Sequence, residues 1–263
     1  MPELPDVEVF KRYLDRTALH ATVREVTVHT SKVLHGVSAA TLRQRLRGQE
    51  LGWSRRHGKL LFVGLDDRSQ ALVLHFGMTG FLKYYASEED APGHPRVELA
   101  LDDGHVLAFD CQRMLGGVAL ADDVEGYLQA RSIGPDALSL DEDGFVDRLQ
   151  GRRGAIKAAL MKQGVMAGLG NVYSDEILFH AHLHPDTDVA FLDESELRKL
   201  HRRMRHVLER AIEAKADPGE VPRTWLLPHR RQGAACPRCG AALERKNIGQ
   251  RHAWLCPSHQ STK

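Results

Sequence analysis

The strongest constraint on how this chain can fold lies at its C-terminal end. Three of its four cysteines fall in the stretch CPRCGAALERKNIGQRHAWLCPSHQ. Cys236-Pro-Arg-Cys239 is one tight knuckle and Cys256-Pro-Ser-His259 a second, with sixteen residues between them. Two knuckles of this spacing can close a tetrahedral site of three thiolates and one imidazole around a zinc ion. Arg238, Lys246 and Arg251 lie in or between the knuckles and favour the thiolate form. The sequence ALERKNIGQRHAWLC reads as two short strands around Asn247-Ile248-Gly249, so the expected unit is a β-hairpin zinc finger. A disulfide is the competing reading, and a reducing compartment disfavours it. His252 competes with His259 as fourth ligand but falls inside a strand. Cys111 stands alone and reads as a small core residue.

Ahead of the finger, the hydrophobic period changes once, near residue 120. Val7, Phe10, Leu14 and Ala18 recur at helical spacing and predict a helix over 6–18. Pro2 and Pro5 sit before it, where proline is tolerated. Strand signals follow at 23–28, 51–56, 60–65, 71–75, 81–84, 97–101 and 105–109. Turns are expected at Asp66-Asp67 and at Asp102-Asp103-Gly104. Many short strands with a turn about every 8–12 residues predict a β-sandwich. Beyond residue 120, helices are expected over 124–129, 142–149, 155–162, 171–181 and 193–214. The last carries Leu197, Leu200, Met204, Val207, Leu208, Ala211 and Ile212 on one face, and Asp193 with Glu196 fits a capping box at its start. The expected architecture is α+β and multidomain. It has a β-sandwich lobe over 1–120, a linker or helical segment over 121–150, a helical lobe over 151–222 and the finger over 223–263.

Charge adds a second constraint. The chain of 263 residues has 36 Lys+Arg against 35 Asp+Glu, a net charge of +1. At 42% hydrophobic residues this is ordinary globular composition, which excludes disorder and coiled coil. No apolar run is long enough for a membrane helix, and the acidic, proline-containing start does not read as a signal peptide. Evenly spread, a net +1 would argue against a nucleic-acid partner. It is not evenly spread: residues 101–150 carry −8 and residues 201–263 carry +8. A basic C-terminal quarter is the footprint of a polyanion contact.

Three further stretches could carry chemistry. Removal of Met1 from Met1-Pro2-Glu3 would expose a secondary amine that titrates near about pH 8 and can attack a carbonyl to form an iminium. Glu3 stands beside it as a proton shuttle. In Arg56-His57-Gly58-Lys59, a lysine at a strand-to-strand turn could bind phosphate or protonate a sugar oxygen. In Met166-Ala-Gly-Leu-Gly-Asn171, a glycine turn opens a helix at Asn171, and free amides at a helix start favour phosphate.

Together with the finger, the segments PELPDVE, RHGK, HFGMTG, IKAALM, GLGNVYSDEILFHAHLHP and GQR resemble the formamidopyrimidine-DNA glycosylase / endonuclease VIII family over nearly the whole chain. The resemblance implies a β-sandwich lobe, a helix–two-turn–helix lobe and a zinc finger holding one structural zinc ion. DNA would lie in the cleft between the lobes. The implied activity is base-excision repair by a bifunctional glycosylase and AP lyase acting on duplex DNA with a damaged base or abasic site. In such an enzyme Pro2 attacks C1′, Glu3 protonates the sugar ring oxygen and Lys59 positions phosphate and sugar. Lys157, Asn171 and Arg251 would grip the phosphates flanking the lesion. Met78 would fill the gap left by the flipped base. Arg113 would pair with the orphaned base, and Leu115, or Met114 under a one-residue shift, would be the second wedge. The resemblance also implies a monomer working in the bacterial cytoplasm and nucleoid, with no membrane contact.

The chain departs from the family pattern in places. Asp6 stands where the family usually has Glu. The fourth zinc ligand is His259 rather than Cys. The stretch Lys215–Ala235, which in 8-oxoguanine-specific enzymes is longer and caps the flipped purine, is short, and this argues against strict 8-oxoguanine preference. A non-catalytic lesion-binding relative would keep the finger and the Asn171 turn without needing Pro2. A zinc-ribbon transcription or ribosomal factor would not need residues 1–60 at all.

Overall fold

The computed structural model describes residues 1–65 and 70–260, so the turn expected at Asp66-Asp67 lies outside the described residues. The chain divides into two compact units: Met1–Pro2 with Asp6–Arg131, and Glu3–Pro5 with Ser132–Lys263.

In the first unit the chain runs α1 (Leu4–Thr17, its first two residues counted with the second unit), β1 (Val23–Val28), α2 (Ala39–Leu46), β2 (Trp53–His57), β3 (Leu60–Gly64), β4 (Ala71–His75), β5 (Gly80–Tyr85), β6 (Pro95–Leu101), β7 (Val106–Cys111), β8 (Gly117–Ala121) and α3 (Val124–Ala130). Two four-stranded antiparallel sheets form, in the orders β1-β6-β7-β5 and β2-β3-β4-β8. Their side chains meet in one core. Val26, Leu99, Leu107 and Phe109 come from one sheet, Leu61, Val63, Leu72, Leu74 and Val118 from the other, and Val7 and Leu14 from α1. β3 is buried along its whole length, as a strand covered on both faces must be, whereas β6 alternates between buried and half-buried residues. The sandwich expected from strand spacing is therefore present, with strand ends moved by one or two residues.

Two elements of this unit were not expected. α2 carries only Leu42 and Leu46 as buried residues, too few for a periodic signal, although its cap is legible: the Ser38 side chain accepts the Thr41 N–H. β8 is five residues long and directly follows an irregular loop. It exists because it completes the second sheet, pairing Val118 with Leu74. The region 121–150, expected as a linker or helical segment, carries both α3 and a second helix, α4 (Glu142–Leu149). α3 belongs to the first unit and α4 to the second, and the division falls between Arg131 and Ser132.

The second unit contains α4 (Glu142–Leu149), α5 (Ile156–Met161), α6 (Asn171–Ala181), α7 (Glu194–Glu213) and the hairpin β9 (Glu244–Ile248) and β10 (Arg251–Leu255). The capping box at Asp193 and Glu196 is formed in both directions. The seven expected apolar residues of α7 are all buried, against Phe145, Leu149, Tyr173 and Ile177 among others. In the finger, Arg251 pairs with Ile248, so the turn is Gly249-Gln250, slightly beyond the expected Asn247-Ile248-Gly249. Phe179, Leu226, Ala234, Cys236, Leu243 and Cys256 form a small core beneath it. Among the described residues, no helix is long and apolar enough to cross a membrane.

α6 breaks the amphipathic rule. Tyr173 through His180 are buried without interruption, and the run includes Ser174, Asp175 and Glu176. Buried carboxylates need donors. The two Glu176 oxygens accept the backbone N–H groups of Leu226 (3.0 Å) and Leu227 (2.6 Å), fixing the segment that leads to the finger. Asp175 accepts from Lys157 (2.5 Å), Arg230 (2.7 Å) and the Trp254 N–H of β10 (3.1 Å). Glu176→Ala is expected to destabilise the protein by about 2–4 kcal/mol, because it strands at least one fully buried N–H. Denaturant unfolding of the variant beside the native chain measures this.

Candidate active site and zinc centre

The start of α6 is built around Glu3. Gln163 staples the preceding turn: its amide nitrogen donates to Met161 O and Leu169 O (2.8 Å each), and its oxygen accepts the Gly168 N–H (3.1 Å). Gly168 has φ +117°, and a Cβ there would lie 2.7 Å from the Leu4 side chain, so only glycine lets the turn sit this close. Leu4 N–H donates to Gly168 O at 3.1 Å. This places the fully buried Glu3 carboxylate over the helix start, where it accepts from the N–H groups of Gly170 (2.7 Å), Val172 (2.8 Å) and Tyr173 (3.2 Å). Three donors that a helix otherwise leaves unpaired are satisfied by one anion at the positive end of the helix dipole.

Asn171, the first residue of α6, is half-buried, and its side-chain amide makes no hydrogen bond among the described residues. Lys157, expected at a phosphate, is 1% exposed. Its ammonium donates to Asp175 (2.5 Å), Ser174 Oγ (2.9 Å) and Asn171 O (3.3 Å). Burial pushes the lysine down, and Asp175 and, more weakly, Glu3 push it back up. Lys157 therefore braces the Asn171 turn from inside. Arg251 is exposed at the first position of β10, and the two residues line one groove of about 290 Å3 with Ala158, Lys162 and Gly249. Asp175, Arg230 and Gln163 were not singled out in the sequence. The acidic pair Asp175-Glu176 ahead of the apolar Ile177-Leu178-Phe179 was the only signal for the first of them.

In the first unit, Met1 is half exposed and Pro2 half-buried. Lys59 lies in the two-residue turn between β2 and β3, and Leu60 beside it pairs with His75 at the end of β4. Burial first, then Lys59 and His35, push the His75 imidazole down.

The wedge candidates come together on two adjoining loops. Met78 is 41% and Leu115 52% exposed, and Arg113 is exposed between them in sequence. The Arg113 N–H donates to Thr79 Oγ1 at 3.2 Å. Gly77 (φ +57°) lies so close to the second loop that a Cβ would be 2.3 Å from the Leu115 carbonyl carbon. Arg96, not foreseen, donates to Cys111 O (3.0 Å) and Gln112 O (3.2 Å) and so clamps the base of the Arg113 loop. Met114 has φ +51° and packs against the core, which leaves Leu115 as the outward residue of the pair.

At the finger, one ligand atom each from Cys236, Cys239, Cys256 and His259 lie within 4.8 Å of one another. Cys239 and Cys256 sulfurs are 3.4 Å apart, and His259 Nδ1 is 3.8 Å from the sulfurs of Cys236 and Cys239. A tetrahedral zinc with Zn–S bonds of about 2.3 Å holds thiolates about 3.8 Å apart, so the donor set fits the ion. His252 is exposed on β10 and is not part of the cluster.

Comparison with known proteins agrees with this arrangement. Residues 1–118 match the formamidopyrimidine-DNA glycosylase N-terminal domain, 133–221 its H2TH domain, and 233–258 the zinc finger found in this glycosylase and in isoleucyl-tRNA synthetase. The formamidopyrimidine-DNA glycosylase of Laribacter hongkongensis is 34% identical, over 99% of this chain and 100% of its own. The chain belongs to the formamidopyrimidine-DNA glycosylase family. The Lactococcus lactis glycosylase in complex with FAPY-dG-containing DNA has the same fold at a TM-score of 0.89 and 26% identity, over 99% of this chain and 100% of that one. The same Lactococcus lactis enzyme in complex with abasic-site DNA aligns at 0.88, with the same identity and coverage. The fold of this family member is the β-sandwich lobe, helix–two-turn–helix domain and hairpin finger, and its structural metal is one zinc ion held by Cys236, Cys239, Cys256 and His259. Chelation, or Cys256→Ala, is expected to remove the metal and loosen the finger while the sandwich stays folded. Metal content by mass spectrometry and separate unfolding transitions check this.

Proposed function

We propose that the chain is a base-excision repair glycosylase that also cleaves the strand at the abasic site, with duplex DNA carrying a damaged base or an abasic site as its substrate. The observation that carries this reading is the seating of Glu3. Three backbone donors hold its carboxylate, and its covalent neighbour is the proline that becomes the N-terminal amine once Met1 is removed.

In this mechanism the Pro2 nitrogen attacks C1′ and the glycosidic bond breaks, with the base leaving as the electron-pair acceptor. The sugar ring opens as nitrogen and C1′ form an iminium, and O4′ takes up the proton. A carboxylate held by hydrogen bonds is suited to shuttle that proton from the attacking amine to O4′, which is the role of Glu3. Loss of a C2′ proton then expels the 3′ phosphate, and a further elimination expels the 5′ phosphate. Lys59 positions phosphate and sugar, Asn171 and Arg251 hold flanking phosphates, and Lys157 supports Asn171 from beneath. Met78 and Leu115 fill the vacated stack and Arg113 meets the orphaned base. The work is done by a single chain in the bacterial cytoplasm, where the DNA lies.

The short Lys215–Ala235 segment bears on base preference. Much of it is committed elsewhere: Trp225 and Leu226 are buried, Leu226 and Leu227 are held by Glu176, and Arg230 by Asp175. Little chain remains to close over a flipped purine, which favours a range of ring-opened and oxidised bases over strict 8-oxoguanine selection.

Borohydride should trap a covalent adduct between the native protein and abasic-site DNA. Pro2→Gly should sharply reduce the adduct, and Glu3→Gln should slow base release by about a hundredfold or more. Tight DNA binding with no adduct would instead identify a non-catalytic lesion binder. On a panel of damaged duplexes, a rate on 8-oxoguanine far above that on every ring-opened and oxidised pyrimidine substrate would contradict the broad-range reading.

A further inference from the structure

α7 is rich in arginine, and nearly all of these are neutralised locally. Arg198 is held by Asp143 (2.6 Å) and Glu194 (2.8 Å), Arg202 by Glu142 (2.8 Å), Arg205 by Glu209 (2.7 Å) and Arg210 by Glu213. Lys199 and Arg203 are the exceptions. Both are exposed, they stand one helical turn apart, and neither forms a hydrogen bond or ion pair among the described residues. Like charges at this spacing destabilise a helix unless something neutralises them.

Both unpaired cations line a pocket of about 450 Å3, together with Arg202 and, from the end of α6, His180 and His182. No acid lines it. Arg238 of the first finger knuckle stands behind its wall, 3.2 Å from His180 Nδ1. The last carbonyls of α6 are turned inward, with Leu178 O and Phe179 O accepting the His182 N–H, which blunts the negative end of that helix. His206, one turn further along α7, is pushed down first by burial and then by His180, Arg203 and Arg210, with Glu209 opposing.

This pocket is separate from the phosphate-gripping groove. The groove is lined by Lys157 and Arg251 and lies near Asn171, whereas the pocket lies at the other end of α6, about 15 Å along the helix. We propose that the pocket formed by Lys199, Arg202, Arg203 and His182 is a second anion site, for a dianionic phosphate group. Two unpaired cations match the charge of about −1.5 to −2 on a terminal phosphate better than the single charge of a carboxylate or a backbone phosphodiester. The guanidinium fork and imidazole N–H groups supply the directed donors that phosphate oxygens require. Such a group is found on a nucleic-acid end or on a free nucleotide.

Calorimetric titration of the zinc-loaded full chain with pyrophosphate, at constant ionic strength, tests the site. The native protein should bind it. Lys199→Ala combined with Arg203→Ala should weaken binding by about tenfold or more, since charged hydrogen bonds are lost. Arg55→Ala, which removes an exposed cation of the first unit, should bind as the native chain does. Lys199→Gln alone, a milder change, should give an intermediate loss, and thermal unfolding of each variant verifies the fold. A 5′-phosphorylated oligonucleotide whose advantage over its unphosphorylated form disappears in the double variant would identify a nucleic-acid end as the source. A nucleoside diphosphate that binds in this way when the oligonucleotide does not would identify a free nucleotide. No pyrophosphate binding, binding unchanged by the double variant, or binding lost in Arg55→Ala would overturn the proposal.

Discussion

The second unit depends on a buried helix whose carboxylates and N-terminal amides are met by distant parts of the chain. α6 runs through the interior, so every charge it carries must be met there or destabilise the fold. Its N–H groups meet Glu3, Asp175 meets Lys157, Arg230 and the finger strand β10, and Glu176 meets the chain leading into the finger. Each contact joins a distant piece of sequence to the same eleven-residue helix. The candidate catalytic residue Glu3, the proposed phosphate contact Asn171 and the finger are thus located relative to one scaffold, and a shift in α6 would displace all three. A site that depends on sub-ångström placement gains from such a rigid hub.

This arrangement also explains why lysine and arginine residues of similar appearance play different parts. Lys157 is buried, so its hydrogen bonds go into ordering Asn171 and Asp175. Arg251 is exposed on a tight hairpin turn, where its charge is available to a polyanion. The acidic residues near α4 and the start of α7 are largely taken up by Arg198 and Arg202. The balanced total charge therefore hides local surpluses, and it is the local surplus that a phosphate meets.

Much of this was legible in the sequence, for identifiable reasons. The two knuckles could be read because zinc coordination imposes spacing on neighbouring residues, and the structure brings Cys236, Cys239, Cys256 and His259 together. The strands and α7 could be read because one-sided burial imposes a period. α2 and β8 could not: α2 buries only Leu42 and Leu46, and β8 is held by pairing with β4, which leaves no local trace. The inward placement of Lys157 was equally hidden, because a lysine at the second position of a six-residue helix has no periodicity of its own. Its partner Asp175 lies on another helix. Arg96 was invisible for the same reason, since its work is done on the carbonyls of Cys111 and Gln112, which any residue would present.

The choice between Met114 and Leu115 shows what the backbone adds to a motif. Sequence spacing allowed either residue to be the outward wedge. Gly77 brings the neighbouring loop to within contact of the Leu115 backbone, Arg96 holds the loop base, and Thr79 takes the Arg113 N–H. With three points tied, the loop has little freedom left. Met114 takes a left-handed conformation and turns its side chain onto the core, and Leu115 must then face out. The cost of that left-handed residue is met by packing, and what it secures is the direction of its neighbours. An exposed leucine beside an exposed methionine is an apolar pair that water alone would not favour, and this exposure is what the proposed insertion into a base stack requires.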